Sequence, residues 1–210
     1  MASALATREP LAVAVRGARA EVRGRPLRTV ACAVVHGALW ATAALRWGPT
    51  WAGLVMAGLF SLLLVVSVID VEHSRIPDRL SRPAAAAGLA LAGLGALVGR
   101  DATPLLAALV GSAAFGGSLG VAHLASPRGM GRGDVKLAVL LGLALGWVAR
   151  SPVAALAAVV AAVIVASLVG TAVGLLLLIR RRRNAPYPFG PALVAGTVVT
   201  LLAAERLLAA

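Results

Sequence analysis

Gly129–Leu137 reads GMGRGDVKL and lies between two apolar stretches. It is a short, polar, glycine-rich interruption carrying one carboxylate, Asp134, where the next hydrophobic run begins. An ionisable side chain at the mouth of a membrane helix costs free energy unless it is paired, hydrated or used. Glycines 129, 131 and 133 let the backbone bend and let other groups approach closely. Ile69–Asp78, IDVEHSRIPD, is a companion stretch, because there Asp70 closes another long apolar run.

The whole chain supports reading these stretches as breaks in a membrane protein. It is 60% hydrophobic and only 13% charged, with a mean hydropathy of +0.92. Continuous apolar runs of roughly 18 residues or more argue for membrane helices. They do not alternate as the strands of a transmembrane barrel would. The fold class is therefore all-α, a polytopic transmembrane helical bundle. The net charge of +12 does not point to nucleic acid, because the arginines cluster between the apolar runs. That is the placement expected of orientation signals and of contacts with anionic lipid. The single cysteine, Cys32, lies inside an apolar run, so the sequence has no disulfide framework and no cysteine zinc site. No cleavable signal peptide is evident, since residues 1–26 are dotted with arginines and lack a long apolar centre.

Two domains are expected, a basic cytoplasmic segment over 1–26 and a membrane domain over 27–210. The basic segment reads either as an amphipathic helix on the membrane surface or as a loosely ordered tail. Seven spans follow, at about 27–45, 51–69, 83–99, 103–125, 134–149, 153–179 and 192–208. Residues 70–82 form a polar loop, and Pro83 opens the third span. Basic residues then divide unevenly between the two sides. One side receives the N-terminal arginines, those of loop 70–82, the basic residues of 126–136 and Arg180–Arg183. The other receives Arg46, Arg100, Arg150 and Arg206, one each. The richer side is cytoplasmic by the positive-inside rule, which puts the chain in the plasma membrane with its N-terminus inside. Asp70 and Asp134 then lie at the same cytoplasmic boundary.

Two carboxylates brought together cannot both ionise cheaply, so one keeps a proton. Such a pair can hold a water. The ionised member takes its proton as it attacks a peptide carbonyl, and the protonated member supports the oxyanion. That chemistry needs no metal or cofactor. Gly131 and Gly133 would let an extended substrate lie against the loop, and Lys136 or Arg132 would tune the aspartate. Glu72 and Asp78 either help bind substrate or are simply solvated. The residues alone leave other readings open. Asp134 sits where a helix N-cap or dipole partner would sit, and two membrane aspartates suit a proton path in a transporter. His36 and His123, inside spans, read as donors in helix contacts.

The ordered set of motifs resembles the type IV prepilin peptidases, membrane aspartic peptidases of the GxGD class. The resemblance runs through Ile69–Asp78, then Met130–Leu137 as MGxGDxKL, then Leu141–Trp147 as LGxxLGW. It extends to Pro188–Pro191, PFGP, and to the RWGPTW turn of Arg46–Trp51. It implies that Asp70 and Asp134 are the catalytic pair of an aspartic endopeptidase. It implies a prepilin or pseudopilin substrate of a pilus or secretion apparatus, cut between a short basic leader and a hydrophobic helix at the cytoplasmic face. Bifunctional members carry paired CxxC motifs in a methyltransferase region, and no CxxC occurs in this sequence. The expectation is peptidase activity without methylation, and no zinc or S-adenosylmethionine. An inactive relative acting as an assembly scaffold is the remaining alternative.

Overall fold

The computed structural model describes residues 26–127, 130–179 and 188–208. The expected surface segment, the basic run at Arg180–Arg183 and the side chain of Arg206 lie outside the described residues. Seven helices and no strand occur among those described. They are α1 (Pro26–Trp47), α2 (Trp51–His73), α3 (Asp78–Gly99), α4 (Thr103–Ala125), α5 (Arg132–Ala149), α6 (Pro152–Ile179) and α7 (Gly190–Leu208). Helices α1, α2, α3, α4 and α6 are long and apolar enough to cross a membrane. The protein is a multi-pass membrane protein with an all-α fold. At 28 residues α6 runs about 42 Å, longer than a hydrocarbon core of about 30 Å, so tilt is expected. Helix α5 is shorter, and Arg132, Asp134 and Lys136 make its first turn polar. In α7 the apolar part covers Gly190–Ala203.

The chain divides inside α2 into two compact units, Met1–Ala57 and Gly58–Ala210. In the first unit His36 stacks edge-on to Trp40, one helical turn away, with ring centroids 5.9 Å apart. Gly48 takes φ +65° to end α1. The Thr50 hydroxyl then accepts the Gly53 amide at 3.2 Å and caps α2.

In the second unit α5 is the most widely contacted helix. It packs against α3, α4, α6 and α7, and most extensively against α4. Every residue from Leu140 to Gly146 is buried. Small residues set the α4–α5 distance. A Cβ on Gly142 would run into the carbonyl of Gly111, and one on Gly146 into the carbonyl of Ala107. With little hydrophobic drive between helices in lipid, such backbone-to-backbone packing supplies the attraction. The Ser112 hydroxyl adds a bond across the seam to the Val139 carbonyl, 3.0 Å away.

Two boundaries differ from the sequence reading. Helix α2 continues past Asp70 to His73, so the expected loop 70–82 shrinks to Ser74–Pro77. Helix α3 begins at Asp78, and Pro83 lies within it rather than opening it. Proline removes one backbone donor. The carbonyl this orphans belongs to exposed Arg79, where water can satisfy it.

Candidate active site

Asp70 belongs to the buried stripe of α2. Phe60, Leu63 and Val66 precede it at helical spacing and are fully buried, and Asp70 itself is only 4% exposed. A carboxylate so placed must find a donor. It finds one 120 residues away, where the Gly190 backbone amide at the start of α7 donates to Oδ2 at 3.0 Å. A Cβ on Gly190 would stand 3.1 Å from the Asp70 Cγ and 3.4 Å from the Ile76 Cδ1. The glycine therefore leaves room that the carboxylate and Ile76 occupy.

Asp134 is held differently. Gly131, in extended conformation, is the N-cap of α5, and Asp134 is the third residue of the helix. The N-cap role weighed for Asp134 is thus corrected. Its carboxylate reaches back to the Gly131 backbone, as the third helical residue does in a capping box. A Cβ on Gly131 would stand 3.1 Å from Asp134 Oδ2. A Cβ on Gly133 would stand 3.0 Å from the Ile76 Cβ. Both glycines of the motif therefore serve close approach, one to the aspartate and one to the loop after α2. Upstream, the His123 Nδ1–H donates to the Met130 carbonyl at 2.7 Å and ties the incoming chain to α4. His123 is a donor as expected, although to the motif's own backbone.

The two aspartates line one cavity of about 290 Å³ and lie within electrostatic reach of each other. Gly131, Gly133, Asp78 and Lys136 also line it. The Lys136 Nζ donates to both oxygens of Asp78 at 2.7 Å, which ties α3 to α5 at the cavity edge. Arg82 joins Asp78 from one turn further along α3, at 3.2 Å. Lys136 is thus engaged with Asp78, not with an aspartate of the pair. Arg75 and Arg132 line the cavity as well. Glu72 is exposed on the last turn of α2, outside the lining. No group of three or more His, Cys, Asp or Glu gathers as a metal site among the described residues.

The sequence model of the type IV leader peptidase family matches residues 57–175. The chain belongs to the type IV leader peptidase family. It is 37% identical over 177 residues to a prepilin leader peptidase/N-methyltransferase of Burkholderia pseudomallei, covering 80% of this chain and 52% of that protein. The Aeromonas hydrophila protein of the same name is 31% identical over 198 residues, covering 89% of this chain and 61% of the relative. One from Bacillus subtilis is 30% identical over 181 residues, covering 85% and 67%. The chain thus spans about half to two thirds of the length of these relatives. No solved structure matches it. Both aspartates, Asp78, Lys136 and the motif glycines fall inside the leader peptidase match, whereas Gly190 falls beyond its end. Gly190, like the cavity-lining Ser74 and Ile76, is a site residue that the sequence alone does not mark. The PFGP motif that contains it was the available signal.

Proposed function

We propose that this membrane protein is an aspartic endopeptidase that removes the leader of prepilin-like precursors. The observation that carries the reading is the shared cavity of Asp70 and Asp134, in a chain of the type IV leader peptidase family. One carboxylate, ionised, takes a proton from a water held between the pair. That water attacks the scissile carbonyl, and the other carboxyl donates its proton to the developing oxyanion. Collapse of the tetrahedral intermediate expels the amine, which leaves with a proton returned from the pair. Arg75, Arg132 and Lys136 at the cavity lie on the side that carries the chain's basic excess, so the site opens to the cytoplasm. The precursor's apolar helix lies in the bilayer beside the enzyme while its leader junction reaches the cavity. The chain works as a peptidase without methyl transfer, a reading supported by its single cysteine, which permits no CxxC pair.

Co-expression with pilin-like precursors, read by intact mass, tests this. Wild type should remove the leader and add no methyl mass. Asp70→Asn and Asp134→Asn should insert normally and leave the precursor whole. Full cleavage by either variant would remove that residue from the catalytic pair. A well-inserted wild type that cuts no precursor would defeat the peptidase reading.

A further inference from the structure

We propose that Gly190 is a positioning residue for Asp70. Its backbone amide orients the carboxylate, and its missing side chain provides the space in which that carboxylate sits. The inference rests on the peptidase reading and extends it to a helix beyond the matched family region.

Three observations carry it. Asp70 is buried, and the Gly190 N–H at 3.0 Å is a donor from a separate helix. That N–H belongs to the first turn of α7, where backbone amides have no partner within their own helix and the helix end is electropositive. Finally, the position excludes a side chain. A Cβ there would come 2.5 Å from Asp70 Oδ2 and 3.1 Å from its Cγ, so the carboxylate would have to shift, and the Ile76 Cδ1 would stand 3.4 Å from the same Cβ. A change of about 1 Å in a reacting group is enough to cost catalysis heavily. An alanine at 190 would therefore turn the carboxylate away from the water it must hold, while the groups along the rest of the cavity stay in place.

The test has two arms, both on the full chain. In the first, Gly190→Ala should lower kcat by about 100-fold while KM stays within about twofold. Gly174→Ala, at a helical glycine with nothing within 4 Å of an added Cβ, serves as a tolerated control. Wild-type kcat in Gly190→Ala, or a loss confined to KM, would overturn the proposal.

The second arm needs neither substrate nor a variant at 190. The sequence contains two Phe–Gly steps, Phe115–Gly116 and Phe189–Gly190. Carbonyl-13C phenylalanine with 15N glycine therefore selects two amide signals in NMR of the detergent-solubilised protein. The Gly190 signal should move with pH in wild type and lose most of that movement in Asp70→Asn. The Gly116 signal, within α4, should stay still. Asp134, Asp78, Lys136, Arg75 and Arg132 face the same cavity, and the Asp70→Asn sample separates their titration from that of Asp70. A Gly190 signal that ignores pH, or that moves equally in Asp70→Asn, would overturn the proposal. A protein that passes this arm yet cleaves no precursor would fail as a peptidase while keeping the Asp70–Gly190 contact.

Discussion

The first turn and the middle of α5 solve opposite problems. Its first turn, Arg132 to Lys136, brings charge to a cavity, where Lys136 is held by Asp78 of α3 and Asp134 by the backbone of Gly131. Its middle, Leu140 to Gly146, is wholly buried and holds position by letting backbones touch. The difference teaches where each glycine's value lies. Near Asp134 the missing side chains make room for a carboxylate and for Ile76. Around Gly142 and Gly146 they make room for the carbonyls of another helix. A fault in the first turn should therefore damage chemistry and spare folding, and a fault in the middle should do the reverse.

The largest effect expected is on chemistry. Asp134→Asn should reduce precursor cleavage by about 10³-fold or more, with thermal melting in detergent unchanged or slightly raised. A melting loss as severe as the activity loss would break the contrast. Next comes the seam. Gly146→Leu forces a branched side chain against the Ala107 carbonyl and should cost about 3 kcal/mol or more. Accumulation in the membrane and the melting temperature should both fall, and normal values for both would refute the close approach. A smaller effect belongs to the tie between α3 and α5. Asp78→Asn or Lys136→Met should lower kcat/KM by roughly three- to tenfold with little change in melting, because the pair is partly exposed yet sits at the cavity edge. Paired in a double variant, the two should lose less than the product of their separate effects. Smallest of all, Glu72→Gln should change cleavage by less than about twofold, since the residue is exposed and lies outside the cavity lining.

Much of this was legible in the chain itself, for physical reasons. A membrane span needs a long apolar run, so the five long apolar helices could be located without a partner in view, and α5 and α7 as shorter apolar runs between polar breaks. The aspartates were legible because each interrupts such a run, and their common side followed from the distribution of arginines. Local polar stretches were harder to read. The segment Asp78–Arg82 looks like loop, yet it forms the first turns of α3, where charged residues can reach water from a helix. Asp134 looked like a cap, but Gly131 takes that position in the backbone and puts the aspartate two residues inside the helix. The Gly190 contact had no side-chain signature at all. It uses a backbone amide, and a partner 120 residues away leaves no periodicity to detect.

That separation has a consequence for how the protein is made. Asp70 leaves the ribosome 120 residues ahead of the amide that will hold it. Throughout that interval the nascent chain carries a carboxylate on the buried stripe of α2 without the donor it has in the finished fold. Seating of α7 by the insertion machinery is therefore the step that completes the site. A chain released before residue 190 should enter the membrane without the donor for Asp70, and on the proposed reading it should cleave nothing, so the order of synthesis itself would withhold activity from a half-made fold.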